Sequence, residues 1–279
     1  MNRWRFALSR RWLGYLGLVI VFAIACVFLS MWQLARSDEA RVAVERVESN
    51  WEAAPVALDE VLPDLDSFDA DDTWQPVTLQ GHYLADESLL VRGRPYEGKA
   101  GFEVLVPFEL ADGTVFVVDR GWVPVGNSQD EPDVLPAPPS GEVSIVVRLK
   151  AGEPTIPGRS APEGQVATIN LPTIAELSGA PTFIAAYGLL ASEDPAPASR
   201  PVAYPRPVAD GGPHLSYAFQ WVAFGVLAFI GLAWAVRHEY RVRNEDDPEE
   251  QRRAAARRAK TAAKGPTDAD IEDQILDRA

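Results

Sequence analysis

Few residues of this chain could do chemistry. Among 279 residues there are three histidines, His82, His214 and His238, and one cysteine, Cys26. Covalent hydrolysis needs a nucleophile with a base beside it, and no Gly-x-Ser-x-Gly turn is present. No group of His, Cys, Asp and Glu has zinc spacing, and no phosphate loop or dinucleotide fingerprint occurs. A single cysteine excludes an intrachain disulfide and copper chemistry by paired thiolates; inside an apolar run it reads as a small packing residue. What remains is His214, which opens the stretch "HLSYAFQWVAFGVLAF". A neutral imidazole is the commonest side-chain metal ligand, and it serves haem iron in particular. Helical spacing puts His214, Ala218, Trp221, Gly225 and Ala228 on one face, where small residues let another helix or a flat macrocycle approach. The plainer reading is an interfacial belt, with Tyr217 and Trp221 at headgroup level and His214 at a helix start.

The elements that must position this histidine are two long apolar runs. Trp12 to Ala35 and Leu215 to Val236 carry no charge over 24 and 22 residues. Each exceeds the ~20 residues a helix needs to cross a bilayer, and a soluble helix of that length would carry charge along one side. Arg3, Arg5, Arg10 and Arg11 precede the first run, and Arg237, Arg241 and Arg243 follow the second. The positive-inside rule then places both termini in the cytoplasm and the central region outside it. The first run is too long for a cleaved leader and has no Ala-x-Ala site, so it reads as a retained anchor. The expected division is a cytoplasmic N-terminus at 1–11, a span at 12–35, an extracytoplasmic β-rich domain at 36–213, a second span at 214–236 and a charged cytoplasmic tail at 237–279. Twenty-two Arg against four Lys suggest a GC-rich bacterial genome, hence the plasma membrane.

Residues 38–213 hold 29 acids and 11 bases, a net of 11 − 29 = −18, which argues against a nucleic-acid partner. "ARSDEARVAVERVESNWEA" has no Gly or Pro before Pro55, so the first helix should run on beyond the span. "DLDSFDADD" reads as a solvated acidic loop, since calcium-loop spacing is absent. The texture then becomes β: "PVTLQGHYL", "LLVRGR", "GFEVLVPFEL", "TVFVVDRGWVPV", "GEVSIVVRLK", "GQVATINL" and "PTFIAAYGLL" are candidate strands. Asp112–Gly113 signals a hairpin, and Pro107 an edge or bulge. "PTIAELSG" reads as a short helix with a proline start and a glycine stop. Such short strands with turn signals indicate a sandwich or partly closed barrel. "SEDPAPASRPVAYPRPVADGGP" reads as a stiff connector. The tail, with "RRAAARRAK" and "DADIEDQILDR", reads as mostly disordered or a loose helix whose basic part could touch anionic lipid. The fold class expected is membrane-anchored α+β, a two-helix transmembrane hairpin carrying a mostly-β extracytoplasmic domain. The short tail leaves no room for a cytoplasmic signalling domain, so the outer domain reads as a binding or scaffolding module.

Four stretches in order carry a family resemblance. They are "WQLAR" (Trp32 to Arg36), "GHYL" (Gly81 to Leu84), "GFEVLVPFELADGTVFVVDRGWVP" (Gly101 to Pro124), with its Arg120–Gly121–Trp122 signature, and "HLSYAFQW" (His214 to Trp221). With two spans flanking them, residues 10–240 resemble the surfeit locus protein 1 family, assembly factors for haem-copper cytochrome c oxidase. The family commonly has Asn where this chain has Asp119, and a basic residue soon after Trp-Gln-x-x-Arg, a place only Arg41 could fill. The resemblance implies a non-enzymatic role in maturing the core subunit of an aa3-type oxidase, at or near haem a insertion. The core subunit and haem a synthase are then expected partners. It implies His214 as the haem ligand, with Tyr217 and Trp221 beside it. Arg120 and Arg36 become candidate partners for haem propionates, against a structural role for Arg120 and simple snorkelling for Arg36. The alternative it leaves open is a haem-free scaffold or accessory subunit resident in the oxidase.

Overall fold

The computed structural model describes residues 4–127, 130–208 and 210–263, so Arg3 and the "DADIEDQILDR" stretch lie outside the described residues. The chain forms two compact units, one from the two terminal segments (1–38 and 212–279) and one from residues 39–211.

The first unit is helical. Helix α1 (Arg10–Asn50) starts in it and runs 41 residues without a break, about 60 Å at 1.5 Å per residue. Its apolar part and helix α4 (His214–Arg243) both have the length and composition of membrane spans. Their large apolar side chains are mostly exposed, Phe28 and Phe219 among them, which suits lipid and not water. Trp12, Cys26 and Ser30 of α1 and Ala218 and Gly225 of α4 are buried. The pairs Gln33 with His214, Cys26 with Gly225 and Trp4 with Tyr240 make the helices antiparallel. Helix α5 (Pro248–Ala262) follows. Of the two readings of the tail, disordered or a loose helix, residues 248–262 take the helical one, as their alanines and arginines favour.

The second unit is built on eight strands among the described residues. They are β1 (Val56–Ala57), β2 (Pro76–Tyr83), β3 (Leu89–Val91), β4 (Gly101–Leu110), β5 (Val115–Pro124), β6 (Val143–Ala151), β7 (Gln165–Val166) and β8 (Ala186–Asp194). Two short helices, α2 (Leu58–Val61) and α3 (Leu171–Ser178), join them. The strand order is β1-β2-β6-β8-β5-β4-β3-β7, and β2 also pairs with β4. That extra pairing closes β2, β6, β8, β5 and β4 into a five-stranded barrel, so the sandwich alternative is set aside. Strand β4 is long enough to serve two neighbours on one edge, β3 at residues 103–105 and β2 at 108–110. Pro107 sits between those pairings, where its missing N–H costs no ladder bond. Two expected strands shrink: "GQVATINL" keeps only Gln165–Val166, and "PTFIAAYGLL" begins pairing regularly at Ala186.

Side chains alternate across the barrel wall. Val77, Leu79, Phe108, Phe116, Val118, Ile145 and Val147 fill the interior. On the outer face Leu105, Val117, Tyr187 and Leu189 pack beneath Ile169, Leu171 and Ile174, the last two from α3. Helix α3 starts on Asn170, whose side chain accepts from Thr173 N, and stops at left-handed Gly179, as its sequence signals require. The end of α1 belongs to this unit. Arg46 pairs with Asp71 at 2.7 Å, and Asn50 donates to the carbonyls of Asp71 and Thr73. The acidic loop at 64–72 is thus docked, with Leu65 and Phe68 packed on the core.

Barrel closure depends on Gly81, which lies opposite Leu110 beside the His82–Glu109 pair. A Cβ there would lie 2.0 Å from the Glu109 carbonyl oxygen, far inside van der Waals contact. Gly81→Ala should therefore open the seam and cost about 2–4 kcal/mol, read as a lower midpoint in thermal unfolding followed by circular dichroism. A wild-type midpoint would show that the seam can give.

Candidate functional site

His214 is the first residue of α4 and is half-buried. Its Nδ1 lies 2.9 Å from Oε1 of Gln33, on α1. Trp221 is half-buried two turns further on and packs edge-on against Phe224. Ala218 and Gly225, on the expected face, are buried against α1, where Cys26 Cβ stands 3.7 Å from where a Gly225 Cβ would be. Tyr217 lies off that face and is 46% exposed. Arg36 is exposed, one turn along α1 from Gln33. His214, Tyr217, Trp221 and Arg36 thus belong to one helical hairpin.

The ring of His214 is placed so that it could serve as a metal ligand. Gln33 holds Nδ1, while Nε2 carries no hydrogen bond among the described residues. A Cβ on Gly212 would sit 3.2 Å from Nε2 and 3.1 Å from Cδ2. Gly212 therefore lies beside the Cδ2–Nε2 edge of the imidazole, where a side chain would crowd it. A ligating histidine normally has its other nitrogen fixed by an oxygen acceptor, and that is the arrangement here. The residues present fit an iron macrocycle that takes Nε2 as its protein ligand.

Arg120 belongs to the other unit, inside the barrel. Its side chain is 0% exposed and pairs with Glu193 Oε1 at 3.0 Å. One Nη donates to the Pro136 carbonyl at 2.8 Å, and the guanidinium lies over the Tyr83 ring. Tyr83 donates its hydroxyl to the other oxygen of Glu193 at 3.0 Å. Burial first, and then the Glu193 charge, push the Tyr83 hydroxyl far above its ordinary range, so it stays a donor. The sequence leaves Arg120 between a structural and a propionate-binding role; here its carboxylate is the internal Glu193, and the side chain is enclosed.

The rest of the signature shapes the strand. Residues Arg120 and Gly121 together oppose Val104, which makes a β-bulge. Gly121 has φ +127°, and a Cβ there would meet the Val202 carbonyl oxygen at 2.4 Å. Val202 and Trp122 exchange both backbone hydrogen bonds at 2.8 Å, and Trp122 donates Nε1–H to the Arg94 carbonyl. The Pro-rich connector is therefore strapped to β5, and Tyr204 adds a 2.8 Å hydrogen bond to Glu103.

Beneath the strap is an outer-face cluster of Arg94, Glu103, Asp119 and Glu153. Arg94 lies 2.8 Å from Glu103 and also pairs with Glu153. Asp119 is buried and accepts only from Gly121 N, at 2.9 Å, among the described residues. Burial, and then the nearby Glu103, raise its carboxyl well above the usual range, which favours the neutral acid. A neutral carboxylic acid has the shape and polarity of an amide, which accounts for aspartate at a place where the resembled family commonly has Asn.

Sequence reasoning missed Gln33, Tyr83, Glu193 and Gly212 as functional positions. Gln33 could have been found, since a polar side chain in an uncharged span needs a partner.

Comparison with known proteins settles the relationship. The sequence pattern of the SURF1 family matches residues 20–226, most of the chain. The chain belongs to the SURF1 family. SURF1-like proteins of Mycobacterium bovis and Mycobacterium tuberculosis are each 34% identical over 252 residues, covering 88% of this chain and 91% of the relative. A yeast relative from Saccharomyces cerevisiae, named cytochrome oxidase assembly protein SHY1, is 28% identical over 111 residues, or 39% of this chain and 28% of its own.

Two outcomes test these roles. Arg120→Ala should cost roughly 3–5 kcal/mol, because it leaves Glu193 buried without its countercharge, with only the Tyr83 hydroxyl beside it. The double change Arg120→Met with Glu193→Leu should recover most of that loss in urea melts. Asp119→Asn should match the wild type near pH 3.5 and exceed it increasingly from there to pH 8. The raised native carboxyl favours folding below the unfolded value of about 3.9, and that contribution fades as pH rises through the native one. Equal melting curves at both pH values would show Asp119 to be charged in the fold.

Proposed function

We propose that this protein is an assembly factor for cytochrome oxidase, working on the core subunit of an aa3-type enzyme at the stage of haem a insertion. The observation that carries the reading is the imidazole of His214 at the start of a membrane-length helix, with Nδ1 held by Gln33 and Gly212, which has no side chain, beside the Nε2 edge. Family membership and the name of the yeast relative support the oxidase as target. Haem a is the cargo, and its iron supplies the acceptor for the imidazole nitrogen. His214 holds it, Trp221 and Tyr217 offer aromatic surface, and Arg36 offers a cation of the kind that matches propionates. Haem a synthase is the natural donor of that cargo.

The arginines flanking both helices, Arg5, Arg10 and Arg11 on one and Arg237, Arg241 and Arg243 on the other, support a topology with both termini in the cytoplasm. The β unit then lies on the outer face of a bacterial plasma membrane, and His214 stands at the outer lip. In this reading Arg120, enclosed and paired with Glu193, supports the barrel and not the haem.

Full-length protein purified from cells that make haem a should show a Soret band and bring down the oxidase core subunit. His214→Ala should lose the band and lower the haem a content of the oxidase. A colourless wild-type protein that still brings down the oxidase would support the haem-free scaffold instead. Recovery of no oxidase subunit from solubilised membranes would end both readings.

A further inference from the structure

We propose that Gln33 is a positioning residue that chooses which nitrogen of His214 is offered to a ligand, an assignment that rests on the haem reading of that histidine. The amide oxygen Oε1 of Gln33 faces Nδ1 of His214 at 2.9 Å. With Oε1 toward Nδ1, the contact is a hydrogen bond only if Nδ1 carries the proton, which leaves the lone pair on Nε2. A histidine side chain in water prefers the opposite tautomer, with the proton on Nε2, the nitrogen far from the backbone. The contact therefore works against the ring's own preference and sets it for ligation.

Three features make the arrangement a device and not an incidental contact. First, the two residues are 181 positions apart and sit on different helices, so neither segment sets the tautomer by itself. Second, both are half-buried at the start of a lipid-length helix pair, where a polar group keeps its partner because water competes poorly. Third, the edge of the ring away from Gln33 faces Gly212, where any side chain would crowd Nε2. Gln33 fixes one nitrogen, and a side chain at residue 212 would crowd the other.

The test uses the full chain in detergent with its histidine side chains labelled with nitrogen-15. Only three imidazoles contribute, and His214→Ala identifies the relevant signals. Near pH 8.5, where an ordinary imidazole is neutral, wild-type His214 should show a protonated, pyrrole-type Nδ1 and an unprotonated, pyridine-type Nε2. Gln33→Leu should shift the ring towards the Nε2–H form, and Gln33→Glu, which keeps an acceptor, should preserve the wild-type pattern. Unchanged signals from His82 and His238 would show that both variants fold. Added hemin, followed by its Soret band, should bind roughly tenfold or more weakly to Gln33→Leu and nearly normally to Gln33→Glu. A wild-type proton on Nε2, or a Gln33→Leu spectrum like the wild type's, would overturn the proposal. If wild-type protein shows the Nδ1–H form but takes up no hemin, the haem reading of His214 fails while the positioning by Gln33 stands.

Discussion

The β unit depends on one seam. Three residues of β2, Gly81 to Tyr83, must pair with three of β4, Phe108 to Leu110. Without that short ladder the sheet is open, its interior side chains face water, and the ion pair of Arg120 and Glu193 has no dry place to sit. The seam can form because Gly81 lets two backbones come closer than any side chain would permit. Tyr83, two residues along the same strand, then seals the inside by donating to Glu193. Closure and the buried polar network are therefore one event in folding terms, since each supplies the surroundings the other needs.

The Arg-Gly-Trp signature does its work through strand phase. In a regular strand, residues three apart face opposite sides. The bulge at Arg120–Gly121 adds one residue, so Asp119 and Trp122 both face outward while Arg120 faces in. Trp122 can then lie under Tyr96 and reach the Arg94 carbonyl. The same irregularity turns Gly121 to a φ that favours glycine and brings it against the strap at Val202. Three neighbouring residues thus serve three separate layers: the barrel interior, the strap, and the outer cluster.

Much of this was legible beforehand, and the limits have physical causes. The hairpin around Asp112–Gly113, the caps of α3 and the unbroken α1 depend on local chemistry, and they stand as the sequence indicates. The two apolar runs were equally plain. Contacts between distant segments left no local mark. Nothing in "GHYL" says that its tyrosine meets Glu193, 110 residues away, and the Pro-rich connector does not advertise that Val202 pairs with Trp122. Closed barrel and sandwich share the same alternation, so only the β2–β4 pairing separates them. At the candidate site His214 was visible as a lone histidine by an apolar run, whereas Gln33 passed as part of a motif.

Cys26 has a practical consequence. It is the sole thiol of the chain and is 2% exposed, packed where α1 and α4 meet. Water-soluble maleimides react with the thiolate at an accessible sulfur, so the native protein should be almost silent to them. Any cysteine introduced elsewhere becomes the one reporting group on an unmodified background. The molecule thus comes ready for single-site probes that read which side of a bilayer each segment occupies.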